Sequence, residues 1–325
     1  MLFRSIEERA FLLACLVDAG SGNDLIEICE HLYTKVDCEV HNLGLLDAVF
    51  GTLVRQEDDD ECGEISDLLE RLESLPQSKT WIVSHIFYVL VKNVEDTTLR
   101  ATTIAKYARR YFFRGLQLLR RPSNIQAPKQ LELIKQGQSL VIELTRHKDI
   151  INVRERDLAL LLSLITLLLG PVSATTDALP SEIFATSYNL ISTLLQRFPK
   201  QLYTCAPSLI SALRLLLRHT LYSQLSEAEV ESRAHMLSRL CEFVIPHKDV
   251  FKKHVIVLVL EYIQALKSEM TSFRKRATMP AIFSLLETLS LFEQQQLNAL
   301  TNATGKILFS SVYTSYQKGQ YKGQY

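Results

Sequence analysis

Apolar residues recur every three or four positions along almost the whole chain, the period of a helix that buries one face. The first such stretch runs from about Phe3 to Ala19 and stops at Gly20-Ser21-Gly22, a C-terminal stop signal. Asn23 caps the next, to about Tyr33, and a third covers about His41 to Arg55. The spacing predicts further helices at about 64–74, 78–95, 98–119, 127–147, 154–169, 181–198, 207–223, 226–244, 249–270, 279–291 and 304–316. Pro122, Pro128, Pro171, Pro180, Pro199, Pro207 and Pro246 fall between them, where proline is tolerated, and Pro280 falls in a predicted first turn. The most apolar run, Leu158 to Leu169, is too short to span a bilayer and fits a buried helix, with Leu158, Leu161, Leu162, Ile165 and Leu168 inside.

A weak internal repeat organises these helices. His147-Lys148-Asp149-Ile150 recurs as His247-Lys248-Asp249-Val250, and Phe198-Pro199-Lys200-Gln201-Leu202 lies midway. Each corner ends one apolar helix and precedes another, and where it carries an Asp, at 149 and 249, that residue can cap the next helix. A step of about fifty residues is close to that of HEAT and armadillo pairs. The expected fold is therefore all-α, stacked helical hairpins forming a HEAT/armadillo-like α-solenoid. Gly and Pro are scarce, with 11 and 9 copies, and Asn-Gly or Asp-Gly hairpin turns are absent, which argues against an all-β chain.

Charge narrows the partners. The 325 residues carry 36 basic and 36 acidic side chains, so any nucleic-acid contact must be local. Lys106, Arg109, Arg110, Arg114, Arg120 and Arg121 interleave with Tyr107, Tyr111, Phe112 and Phe113. Positions 106, 109, 110, 113, 114, 117 and 121 trace one stripe, able to meet phosphates while the aromatics face the core. The plainer reading is a solvated face paired with acidic neighbours. Arg274-Lys275-Arg276 is a second, smaller cluster, and Glu57-Asp58-Asp59-Asp60-Glu61 reads as an acidic loop.

Chemistry is otherwise sparse. No phosphate-binding loop, dinucleotide fingerprint, metalloprotease helix or nucleophile elbow occurs, and no histidine has an evident catalytic partner, so no enzyme activity and no cofactor are expected. His147 and His247 read as corner residues. Cys29, His31, Cys38 and His41 are zinc-type ligands lacking zinc spacing, so buried thiols and surface imidazoles are preferred. The six cysteines form no CxxC pair and read as reduced thiols, and the N-terminus lacks a signal-peptide core, pointing to a soluble intracellular protein.

The C-terminal half carries more specific signals. They are His247-Lys248-Asp249, then Glu261-Tyr262-Ile263, Met279-Pro280-Ala281-Ile282-Phe283-Ser284-Leu285-Leu286, Gln296-Leu297-Asn298-Ala299 and Gly305-Lys306-Ile307-Leu308-Phe309. The end, Tyr313-Thr314-Ser315-Tyr316-Gln317-Lys318 with Tyr321-Lys322-Gly323, is the most specific. From about residue 140 the chain resembles the C-terminal domain of the nucleolar pre-ribosomal-associated protein 2 family. It departs in having Ala281 where members commonly carry Gly, and Lys306 where they commonly carry Arg. Members are far longer, so the resemblance implies a C-terminal piece or an unusually short relative. Two regions are expected: 1–140, a helical-repeat region resting on periodicity alone, and 141–325, the family-like domain, continuous with the first.

The resemblance implies a non-enzymatic nucleolar scaffold in large ribosomal subunit assembly and pre-rRNA processing. It would act with other pre-ribosomal assembly factors, helical-repeat proteins and an RNA helicase among them, with pre-rRNA as a further candidate contact. A cytosolic helical-repeat adaptor binding only proteins is the alternative. Candidate contacts are the stripe residues Lys106, Arg109, Arg110, Arg114 and Arg121, with Lys318, Tyr321 and Lys322 of a cationic, tyrosine-bearing tail. No membrane or small-molecule partner is expected.

Overall fold

The computed structural model describes residues 66, 68–70, 72–73, 80–94, 99–120, 128–171, 178–268 and 270–322. Among them there are helices and no strands. The expected helices before residue 64, the acidic loop, the zinc-type constellation and Arg121 lie outside the described residues.

The chain divides into two compact units, one ending at Val153 and one beginning at Arg154. In the first, α1 (Thr80–Asn93), α2 (Leu99–Leu118) and α3 (Pro128–Arg146) pack against one another. Phe87 and Tyr111 stack with ring centroids 3.8 Å apart in its core. The α2–α3 crossing is set by two glycines. A Cβ on Gly137 would lie 2.7 Å from Leu118 Cβ and 2.8 Å from the Gly115 carbonyl oxygen, and one on Gly115 would lie 3.0 Å from Val141. Any side chain at Gly137 would force the helices apart.

The second unit contains α4 (Glu155–Leu169), α5 (Ser181–Arg197), the single turn α6 (Pro199–Leu202), α7 (Ala206–Tyr222), α8 (Glu227–Val244), α9 (Lys248–Lys267), α10 (Ser272–Thr288), α11 (Leu291–Leu300) and α12 (Ala303–Lys322). Its strongest packing joins alternate helices: α4 with α7 and α7 with α9 in one row, α5 with α8 and α8 with α10 in the other. Within each row the helices run parallel. The Cys205 thiol donates to the Glu155 carbonyl where α4 and α7 begin, and His219 Nε2 contacts the Leu169 carbonyl where they end. Tyr203 Oη and His247 Nδ1, 3.1 Å apart, join the corners before α7 and α9. Bonds between like positions thus span 44 to 54 residues.

Local signals account for several boundaries. Ser226 caps α8 by accepting from the Glu229 N–H, while Glu229 accepts from the Ser226 N–H, and Ser290 with Glu293 repeats this reciprocal box at α11. Gly170 ends α4 at φ 60°, ψ −179°, a region open essentially to glycine. Leu158, Leu161, Leu162, Ile165 and Leu168 are fully buried, as the apolar run predicts.

Four expectations need correction. The corner Asp249 does not cap α9: His247 occupies the N-cap position, and Asp249, one residue into the helix, lies 3.8 Å from Lys252. The helix expected at 279–291 starts instead at Ser272, with Thr271 accepting from the Arg274 N–H, and carries Pro280 inside it. Residues 291–300, between two expected helices, form α11. The last helix continues through Gly319 to Lys322 rather than ending near 316. One glycine costs about 1 kcal/mol of helix propensity, too little to stop a helix anchored by buried Phe309 and Val312.

Candidate interaction surfaces

The basic stripe lies on α2. Lys106 and Arg110 are exposed, and Arg109 and Arg114 are half-buried. Tyr111 and Phe112 point into the core, whereas Phe113 stays on the exposed edge. Arg110 forms an ion pair with Glu73. Arg109 lies 5.6 Å from the Phe113 ring centroid and Arg114 4.8 Å from that of Tyr111. Burial pushes the Tyr111 hydroxyl well above its ordinary range, with the Arg114 charge opposing it. Three of the four described arginine and lysine side chains of the candidate stripe therefore have local tasks, and the fourth, Lys106, is exposed.

The Arg274-Lys275-Arg276 cluster is split by the fold. Arg274 turns inward, Nη1 donating to the Leu221 carbonyl at 2.7 Å and Nη2 to the Ser223 carbonyl at 2.9 Å. It satisfies the carbonyls that α7 leaves open at its C-terminus. Arg276 remains exposed. Burial holds the Arg274 guanidinium below its ordinary range.

Two features escaped the sequence pattern. Arg233, 2% exposed, donates to the Leu179 carbonyl at 2.6 Å and lies 4.9 Å from the Phe184 ring centroid. Its desolvation lowers the guanidinium's affinity for its proton, and Glu229 opposes the shift. Glu261, buried on α9, receives Arg214 from α7 at 2.7 Å and Arg218 at 3.5 Å. Burial and Glu261 together push the neighbouring Tyr222 hydroxyl up to about 12. Such inward arginines look like any surface charge in sequence, and their only signal is a separation of about fifty residues from the group they reach.

The C-terminal helix buries Phe309 and Val312 and half-buries Leu308, Tyr313 and Tyr316. Tyr316 meets Phe283 of α10 at 5.6 Å between centroids. Asn302 Oδ1 accepts from the Gly305 N–H at 2.9 Å and from Lys267 Nζ at 3.0 Å, fixing the start of α12 against α9. Lys318 is exposed, and Tyr321 and Lys322 lie on the helical backbone beyond it. These three belong to the second compact unit and the α2 stripe to the first. Cys205 and Cys241 are free and buried, and burial pushes the Cys241 thiol up to about 12. Among the described residues no group of ligating side chains is arranged to hold a metal ion, and no helix is long and apolar enough to cross a membrane.

The described residues are helical, and Arg233, Arg274 and Lys267 tie helix ends together. The model of the Urb2/Npa2 family matches residues 138–324, more than half of the chain, and the chain belongs to that family. Membership implies involvement in ribosome biogenesis with other assembly factors, and a nuclear or nucleolar setting. No curated protein and no solved structure matches the chain. The match begins at 138 and spans the second compact unit to within one residue of its end.

Proposed function

We propose that this chain is a non-enzymatic nucleolar scaffold in large ribosomal subunit assembly and pre-rRNA processing, holding assembly factors on early pre-ribosomal particles. The observation that carries the reading is the parallel packing of alternate helices in residues 154–322, linked by bonds that step about fifty residues. It supports a HEAT/armadillo-like α-solenoid, a form that displays a long, already ordered surface to partners at little entropic cost. In this reading residues 1–140 are an N-terminal helical-repeat region and 141–325 the family domain. The partners are other assembly factors, helical-repeat proteins and an RNA helicase among them. Pre-rRNA is touched through Lys106, Arg109, Arg110, Arg114 and Arg121, and through Lys318, Tyr321 and Lys322.

The test places the tagged full-length chain in cells and on sucrose gradients. Nucleolar staining and co-sedimentation with large-subunit precursors are expected, and cytosolic staining with a free gradient position would contradict the scaffold. Lys106→Glu isolates the RNA contact, because its side chain is exposed and packs on no ring. Weaker RNA binding with a shallower salt dependence is expected. An unchanged slope would leave the α2 stripe a structural feature.

A further inference from the structure

The row α4, α7, α9 presents an outer surface with a chemistry of its own. On α9, Lys253, Val257, Leu260, Gln264 and Lys267 follow a four–three–four–three spacing, which places them along one stripe. Lys253, Val257 and Gln264 are exposed, and the other two are half-buried. On α7, Pro207, Ser211, Arg214 and Arg218 repeat the spacing, exposed except for half-buried Arg218. On α4, which packs along α7, Arg156, Leu160, Ser163 and Leu167 repeat it again, all exposed. The α7 and α9 stripes face the same way, because Arg214 and Val257 line one open groove of about 420 Å³. Leu260, Lys267, Leu300 and the carboxylate-bearing Glu261 are among its other walls, and Leu300 is 66% exposed.

The charge on this surface is one-sided. Arg156, Arg214, Arg218, Lys253 and Lys267 stand on the stripes, and the single carboxylate among them, Glu261, is buried beneath Arg214 and Arg218. The other carboxylates of these helices, Glu155, Asp157 and Asp249, belong to first turns at the helix starts. Large apolar side chains left open beside five cations that share one carboxylate match an amphipathic helix with an apolar stripe and acidic flanks. A phosphate backbone would use the cations but leave Val257, Leu260 and Leu300 without a counterpart. No fully exposed aromatic ring stands on the stripes for a base to stack on.

We propose that the groove between α7, α9 and the α11–α12 corner docks an acidic amphipathic helix of a protein partner. The apolar residues of that helix enter beside Val257 and Leu300, and its carboxylates meet Arg214, Lys253 and Lys267. The proposal rests on the scaffold reading and names the chemistry of one partner.

The test uses the full chain in cells, with a photo-crosslinking phenylalanine analogue replacing Val257 and, as a control, Glu242 on the other row of helices. Crosslinks are collected separately from large-subunit precursor fractions and from the free pool, and the captured peptide is sequenced. The Val257 probe is expected to capture a protein segment with apolar residues at helical spacing flanked by Asp and Glu, and the Glu242 probe is not. Lys253→Glu, an exposed change that should leave the melting temperature in place, is expected to cut the yield at least fivefold. A crosslink to RNA, to a basic or aperiodic segment, or to nothing would overturn the proposal, as would a yield indifferent to Lys253→Glu. If the groove fails in this way while the chain still sediments with precursors, only the groove assignment falls. Absence of the chain from those fractions would count against the scaffold reading itself.

Discussion

The two compact units hold their helices by different means. In residues 80–153 the register is steric: Gly115 and Gly137 let α2 and α3 approach until no Cβ fits between them. In residues 154–322 the register is polar. Arg233, His219, Cys205 and Arg274 reach backbone carbonyls at the ends of neighbouring helices. A glycine contact specifies one crossing between one pair. A polar contact at a helix end can recur at every step of a stack, as where His219 and Arg274 meet carbonyls of the kind every helix leaves open at its C-terminus. The second device suits a structure extended by repetition, and the family match lies almost wholly within that unit.

The largest effect should come from the apolar base common to both devices. Leu161→Asp buries an unpaired charge in α4 and should destabilise the second unit by about 4 kcal/mol or more, read by chemical denaturation. An unchanged midpoint would show that α4 is peripheral. Next comes the steric device: Gly137→Ala should cost about 1–3 kcal/mol, because its Cβ would meet the Gly115 carbonyl and the Leu118 Cβ. The polar device should lose about 1–3 kcal/mol for Arg233→Ala, which strips the buried Leu179 carbonyl of its donor. Arg233→Lys should not restore it, since a strongly hydrated ammonium is costlier to bury and lacks the plane that lies against the Phe184 ring. Equal stability of Arg233→Ala and wild type would dissolve the contrast between the units.

The smallest effect is a pH dependence confined to the second unit. Ser181 and Ser226 hold the Glu229 carboxyl below its ordinary range, and Ser290 does the same for Glu293. A depressed folded-state pKa stabilises above the ordinary carboxylate range, near about 4.3. That stabilisation fades as pH falls through the lower folded value, because the unfolded chain takes up protons first. Thermal midpoints should drop below about pH 4.5, and Glu229→Gln with Glu293→Gln should flatten that drop. Identical acid limbs would assign the loss to other groups.

The helices and core of residues 80–267 were legible in sequence, because period and proline position both reflect burial of one face. The Leu158–Leu168 core and the corners at 147, 198 and 247 follow directly from that pattern. The start of α10 was not, because Ser272–Thr278 is polar and charged and owes its helix to the Thr271 cap and packing on α8. Helix α11 was missed because it buries only Glu293 and Leu297 and leaves Leu291, Phe292 and Leu300 exposed, which erases the periodic signal. The α2 stripe was visible as a row of charges, but its ties to Glu73, Phe113 and Tyr111 depend on packing. The inward turn of Arg274 was invisible for the same reason, since its partners lie at the end of another helix.

The scaffold reading stands or falls on what happens to ribosomal RNA when the chain is removed. Pulse-labelling of rRNA after rapid depletion of the protein, with and without re-expression of the full chain, tests it most directly. The account predicts that mature large-subunit rRNA falls and its precursors accumulate, that small-subunit rRNA continues to be made, and that the intact chain restores the balance. Unaltered large-subunit processing after depletion, or a defect confined to the small subunit, would contradict it.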